Sequence, residues 1–231
     1  MNLTIVGSGS SGNTAILQND DEALIIDCGI PVMEVKKALG FNVRKIVGAL
    51  CTHIHEDHHR YVKDYDRMNV PVFEPYNSEM DKQVRRYGNF VIKAFRLQHD
   101  VPCFGFYINH PEMGNLIYAT DTEYIKYHFS GINHIMVEAN YCKDDLPPDA
   151  DNKQHVMLGH MEVNTTMDFI KANDNDDLKD VILIHLSQQN ADREKFFNMA
   201  TQTTNKQVYI AKSGFEIDVS LIPECFRGDM K

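Results

Sequence analysis

Apolar residues along the chain fall in short runs broken by glycine, proline, amide and acidic residues. Residues 3–6, 14–18 and 23–27 read as strands, and a helix is expected over 33–39. Residues 46–51 form a continuous apolar run, the pattern of a strand buried on both faces. It ends directly at a histidine cluster. Helices are expected over 59–69 and 77–87, and strands over 91–97, 104–109, 116–119 and 134–138. Residues 144–153 hold Pro147-Pro148 and four aspartates, an exposed loop. A helix over 163–172, an acidic turn over 173–177, a buried strand over 181–186 and a helix over 191–203 follow. Strands over 208–210 and 215–219 close the chain around Lys212-Ser213-Gly214, a hairpin-like turn. The pattern alone supports a mixed α and β (α/β) fold, with two sheets covered by helices as the arrangement it suggests.

The chain has 231 residues and is 43% hydrophobic. That length fits one domain spanning 1–231 with a well-buried core. No apolar run reaches the roughly 18–20 residues of a membrane span, and the N-terminus lacks the basic region of a signal peptide. A cytoplasmic protein with no membrane partner is expected. Cysteines at 28, 51, 103, 142 and 225 are odd in number and lack C-x-x-C spacing, which disfavours disulfides and a zinc ribbon. The net charge of −10 weighs against a long nucleic-acid interface, which needs a basic face. Lys82, Arg85 and Arg86 make one small basic group, read as a solvated helix face.

Thr52-His53-Ile54-His55-Glu56-Asp57-His58 carries the candidate chemistry. In an extended segment His53 and His55 point to one side and can share a cation. Asp57 and His58 fall where the chain turns toward a helix and can face a second cation. Imidazole and carboxylate suit zinc, and also manganese or iron. The bland alternative is a solvated loop after a strand.

This H-x-H-x-D-H string resembles the signature of the metallo-β-lactamase superfamily, whose fold is an αββα sandwich. Leu24-Ile25-Ile26-Asp27-Cys28-Gly29 resembles its first motif, in which the aspartate orients the metal-binding loop. His99, Asp121 and His185 stand where the third, fourth and fifth motifs would place them. Pro102-Cys103-Phe104-Gly105-Phe106 is similar to ribonuclease Z. Gly7-Ser8-Gly9-Ser10-Ser11-Gly12-Asn13, Val137-Glu138-Ala139-Asn140, Gly159-His160 and His185-Leu186-Ser187 with Asn190 resemble the YycJ/WalJ-type branch. Tyr141 and the Met161-Glu162 pair depart from that branch.

The resemblance implies two divalent metal ions, zinc or manganese. His53, His55 and His99 would hold one; Asp57, His58 and His185 the other; Asp121 would bridge them. Taken singly, His99 reads as a turn histidine, Asp121 as a helix cap and His185 as a core histidine. His160 resembles the additional histidine of phosphodiesterase branches. With Asp57 it is the candidate catalytic residue, as a proton donor to the leaving oxygen. Ser11 and Asn13 of the glycine-serine loop, with Asn140, are the candidate substrate contacts. The alternative for that loop is a plain strand-to-strand turn. The implied activity is phosphodiester hydrolysis by a hydroxide held between the metals. The substrate is either a nucleic-acid end or a small cyclic nucleotide. A hydrolase of lactones, thioesters or β-lactams and a non-enzymatic metal-stabilised scaffold are the alternatives, and a homodimer is left open.

Overall fold

A computed structural model describes residues 1–77, 83–146 and 159–222. Among the described residues thirteen strands form two sheets. The first has the order β13-β1-β2-β3-β4-β5 and the second β12-β11-β10-β9-β8-β7-β6. The strands are β1 (Asn2–Gly7), β2 (Thr14–Gln18), β3 (Ala23–Ile26), β4 (Ile46–Leu50), β5 (Val72–Phe73), β6 (Val84–Tyr87), β7 (Phe90–Leu97), β8 (Cys103–His110), β9 (Gly114–Ala119), β10 (His134–Glu138), β11 (Asp180–Ile184), β12 (Gln207–Ile210) and β13 (Phe215–Asp218).

The apolar runs are continuous because most inner strands are covered on both faces. Leu24 and Ile26 of β3 pack between the sheets with Phe106, Tyr118, Met136 and Ile182. Ala23 and Ile25, one residue out of phase, pack outward with Val35, Leu39, Val62 and Tyr65. These last four lie on or beside helices α1 (Val32–Ala38) and α3 (Val62–Arg67). The second sheet divides in the same way. Met136 and Ile182 face inward, while Ile135, Val137, Val181 and Leu183 meet helices α4 (Val163–Asn173) and α5 (Arg193–Thr203). Period-2 alternation thus sorts one apolar run into two cores, and the four layers are helix, sheet, sheet, helix. The Glu162 carboxylate caps α4 by accepting from the Asn164 amide, and Asp192 caps α5 by accepting from Lys195.

Two sequence expectations are corrected. Residues 84–87 form a strand, not the end of a helix. They pair antiparallel with β7 through a Gly88-Asn89 turn, with Gly88 at φ 53°. Val84-Arg85-Arg86-Tyr87 alternates in exposure, as an edge strand does. The Arg85 guanidinium rests over the Phe73 ring rather than on a solvated helix face. Residues 78–82, Lys82 among them, lie outside the described residues. The Lys212-Ser213-Gly214 turn does not make a hairpin. β12 runs parallel to β11 in one sheet and β13 antiparallel to β1 in the other. A glycine turn serves a crossing between sheets as well as a hairpin, and each strand here covers a different open edge. The expected loop over 144–153 is described only to residue 146, where Lys143–Asp145 form a short 3-10 turn.

The pairing directions bring one set of strand ends together. β1 and β3 run the same way because each is antiparallel to β2, and β4 is parallel to β3. In the second sheet β7 and β9 are both antiparallel to β8, and β10 and β11 are parallel to β9. The loops leaving the carboxyl ends of β1, β3 and β4 therefore share one rim, as do those leaving β7, β9, β10 and β11. Open parallel sheets bind ligands at such rims. No helix among the described residues is long and apolar enough to cross a membrane.

Gly29 marks how closely these loops approach. The Asn13 amide donates to the Asp57 carbonyl (2.7 Å), and the Gly29 amide to the Asn13 carbonyl (3.0 Å). A Cβ on Gly29 would stand 1.7 Å from the Asp57 carbonyl oxygen. Gly29→Ala is expected to cost about 1–3 kcal/mol or more, read as a lowered midpoint in thermal unfolding. An unchanged midpoint contradicts the close approach.

Candidate metal centre

The apolar strand β4 delivers Thr52 and His53 into the space between the sheets, and both are buried. The chain then turns into α2 (Glu56–His59), which carries Asp57 and His58. His99 follows β7, Asp121 follows β9 and His185 follows β11. Asp121 and His185 hold positive φ, 51° and 53°, as does Asp27 at 60° after β3. This left-handed conformation is uncommon outside glycine and marks sites where side-chain direction matters more than backbone ease.

Two donor groups result. His53, His55 and His99 form one; Asp57, His58 and His185 form another. Asp121 stands with His53 and His58, one residue from each group. In the first group His55 Nδ1 lies 3.1 Å from His53 Nε2 and 3.3 Å from His99 Nε2. Nitrogen ligands ~2.0–2.1 Å from a tetrahedral zinc sit roughly 3.3 Å apart. One ring proton cannot satisfy three converging nitrogens, whereas a cation among them can. In the second group His58 Nε2 is 3.4 Å from Asp57 Oδ2 and 3.0 Å from Asp121 Oδ2. Among the described residues His185 Nε2 is buried without a hydrogen-bond partner, 3.8 Å from Asp57 Oδ2. A buried nitrogen left so is costly unless something else engages it. The donors therefore fit a pair of divalent cations.

Buried carboxylates fix the ring tautomers. A carboxylate only accepts, so His58 Nδ1–H donates to Asp27 Oδ2 (2.8 Å), leaving Nε2 as the donor atom toward a cation. The Thr52 hydroxyl donates to Asp27 Oδ1 (2.9 Å) and lies 2.9 Å from His53 Nδ1, which leaves His53 Nε2 for the cation. Glu138 does the same for His185. Its Oε1 accepts from His185 Nδ1 (2.8 Å) and His160 Nδ1 (2.7 Å), and its Oε2 from the amides of Thr122 and Met161. Glu138 also falls in a donor group with Asp121, His160 and His185. With both oxygens committed, it orients imidazoles rather than binding a cation. Within Val137-Glu138-Ala139-Asn140, sequence alone assigns Glu138 no role. Its signal was an acidic residue ending a wholly buried strand.

The charge states follow from these contacts. Burial, with the neighbouring His58, pushes His53 down to about 2. Burial works against charge on His185, but the carboxylates of Asp121, Asp57 and Glu138 outweigh it and raise His185 to about 10. His160 is raised in the same way, by Glu138 and Asp121 against burial. Burial opposes ionisation of Asp57, yet the adjacent His185 and His58 imidazoles hold it well below the usual carboxylate range.

The donors open onto a cavity of about 420 Å³ lined by His55, Asp57, His99, Asp121, His160 and His185, with the 186–190 segment, Asn140, Gly9 and Ser10 completing the wall. Of the expected substrate contacts, Asn140 lines the cavity, though its amide donates to the His185 carbonyl (2.8 Å). Ser11 is exposed and outside the lining; the glycine-serine loop presents Gly9 and Ser10 instead. Asn13 is buried behind the wall, its amide 3.1 Å from Asp57 Oδ2. His59, His110 and His134 pair with Glu74, Glu22 and Asp180, away from the cavity lining.

Residues 7–59 match the metallo-beta-lactamase superfamily. The chain is 22% identical to exodeoxyribonuclease YycJ of Bacillus anthracis, over 94% of each protein. It is 25% identical to exodeoxyribonuclease WalJ of Streptococcus pneumoniae, over 93% of this chain and 91% of that protein. Among solved structures, the metallo-beta-lactamase fold protein YhfI from Bacillus subtilis superposes with a TM-score of 0.69 at 19% identity, covering 94% of this chain and 99% of that one. The protein has the metallo-β-lactamase fold, and its resemblance to the YycJ/WalJ-type branch extends over nearly its whole length.

With cations chelated, the His185 shift carries a pH signature. Its folded value, about 10, exceeds the unfolded 6.5. Its stabilisation is therefore complete below pH 6.5 and is lost as pH rises through about 10. His53, depressed in the fold, acts oppositely and costs stability as pH falls below 6.5. The thermal midpoint in EDTA is expected to fall from pH 7 to pH 10, and less steeply in Glu138→Gln. A flat alkaline limb contradicts this arrangement.

Proposed function

We propose that the protein is a two-metal phosphodiesterase that hydrolyses nucleotide phosphodiesters at nucleic-acid ends. The observation carrying this reading is His160. It stands on the cavity wall beside Asp121 (Nδ1 to Oδ1, 3.4 Å), with Nδ1 bonded to Glu138. Hydrolysis of a phosphodiester must protonate a departing alkoxide. Lactone and β-lactam hydrolysis also protonate a leaving group, so His160 favours a hydrolase over a scaffold, and the choice of phosphorus over carbonyl carbon rests on the likeness to nuclease-named proteins. The full-length likeness to two proteins named exodeoxyribonucleases supports a strand end as substrate.

His53, His55 and His99 would hold one divalent ion; Asp57, His58 and His185 the other; Asp121 would bridge. Bound there, zinc or manganese supplies charge neutralisation for phosphoryl oxygens and an activated water at neutral pH. The remaining work falls to the chain. Asp27 and Thr52 keep His53 and His58 presented through Nε2. Glu138 keeps His185 presented likewise and holds the proton on His160 Nδ1. His160, whose proton Glu138 and Asp121 hold more firmly than in a free imidazole, would give a proton to the leaving oxygen. The 186–190 segment and the Gly9-Ser10 turn bound a space suited to a single nucleotide.

A second substrate reading, a small cyclic nucleotide, is favoured by one observation. No lysine or arginine stands among the described residues lining the cavity, whereas tracking a long strand calls for a basic groove.

Bis-p-nitrophenyl phosphate turnover with manganese or zinc tests the reaction. Asp57→Ala is expected to abolish it, while His160→Ala is expected to lower kcat by about 10²–10⁴-fold on a dinucleotide or single-stranded DNA, whose departing alkoxide needs a proton, and far less on the nitrophenyl ester. The His160→Ala deficit should shrink on a substrate with a better leaving group. Turnover of a lactone or nitrocefin but not of the phosphodiester overturns the proposal. Labelled single-stranded DNA assayed beside a panel of cyclic nucleotides separates the two substrates.

A further inference from the structure

We infer that the Ser8–Asn13 turn is a positioning device for the second cation alone, so that the two metal positions are built with separable affinities. The inference rests on the two-cation reading of the site. Every donor of the second group is touched by this turn. The Asn13 side-chain amide donates to Asp57 Oδ2 (3.1 Å) and lies 2.8 Å from His58 Nε2. The Ser8 hydroxyl accepts from the His185 backbone amide (2.9 Å), at the residue held in the left-handed conformation. The Asn13 backbone amide donates to the Asp57 carbonyl (2.7 Å). The amide itself cannot swing away. Asn13 Oδ1 accepts from the Gly9 amide (2.7 Å) and Nδ2 donates to the Gly9 carbonyl (3.1 Å).

None of the first group is held from this direction. His53 Nδ1 is placed by Thr52 and lies 3.8 Å from the Cys103 sulfur. His55 and His99 face each other and Asp100. The hydrogen bonds and ion pairs of these three rings therefore come from the loops after β4 and β7 and from Cys103, which opens β8. The second group is assembled across a wider span of chain, from α2 and the end of β11, with the β1–β2 turn as the clasp between them. Removing the clasp lets Asp57 and the His185 backbone move independently, while the first three rings keep their partners. Gly9 and Ser10 of the same turn line the cavity. One segment thus meets both the second group and whatever occupies the cavity.

The test is metal stoichiometry and affinity, by elemental analysis and calorimetric titration with manganese, on the wild type, Asn13→Ala and Ser8→Ala. The wild type is expected to bind two cations. Asn13→Ala is expected to bind the first with affinity within about twofold of wild type and the second about 10–100-fold more weakly, the usual effect of losing an outer partner. Ser8→Ala, which removes one hydrogen bond at a partly exposed site, shifts the second cation in the same direction and keeps the test open if Asn13→Ala fails to fold. In electron paramagnetic resonance at two equivalents of manganese, the spin-coupled pair signal of the wild type gives way to a single-ion signal. Parallel loss of both cations, or an unchanged or tighter second site in both variants, overturns the inference. A wild type that binds fewer than two cations instead overturns the two-cation reading on which it rests.

Discussion

One buried carboxylate holds the site to the fold. Asp27 is fully buried and accepts four hydrogen bonds: from the Thr52 amide and hydroxyl on one oxygen, and from His58 Nδ1 and the Tyr118 hydroxyl on the other. Thr52 and His58 belong to the loop after β4 in the first sheet, and Tyr118 to β9 in the second. The same group thus pins the sheets together and sets the tautomers of one histidine in each donor group. Burying a carboxylate is expensive unless its lone pairs are used. Here all are used, so loss of any one donor is felt both in packing and in the direction of an imidazole.

The positive φ values at Asp27, Asp121 and His185 belong to the same economy of placement. Each follows a strand whose residues are committed to two cores by strict alternation. A regular continuation would send the next side chain along a sheet face. A left-handed residue breaks the alternation and turns the side chain across the rim. Such conformations persist where surrounding contacts over-determine them, and each of these residues has at least two polar partners fixing it.

Most of the architecture was legible because the strands are nearly all apolar and short. The histidine cluster was legible because its spacing is local: His53 and His55 converge through strand alternation. What the sequence hid was contact between remote segments. Glu138 lies 22 residues from His160 and 47 from His185, and only the sheet order brings the three together. Asn13 was read as a substrate contact along with the rest of its glycine-serine loop, yet the loop's inner side faces Asp57 and only Gly9 and Ser10 reach the cavity. The 84–87 strand was misread because two arginines and a tyrosine suit a helix face as well as an edge strand. Its β7 partner decides the matter. The final turn was misread because local turn chemistry does not say which sheet the next strand joins.

The charge balance ties metal binding to substrate binding. The chain carries a net charge of −10, and two of its carboxylates, Asp57 and Asp121, stand on the cavity wall. A phosphodiester is itself an anion, so in the absence of cations the nearest fixed charges oppose it, and the countercharge would rest on imidazolium groups such as His160. Two divalent ions held there would reverse the local sign, and an acidic protein could then accept a phosphate without a lysine or arginine on its described cavity wall. A field of this kind is short-ranged, since beyond about 10 Å salt screens it at ordinary ionic strength. It would draw in a phosphate that has reached the rim but would offer nothing to the rest of a long strand. Such a field would accept a single phosphate, whether at a strand end or on a small nucleotide, and would hold no more of a long strand than that.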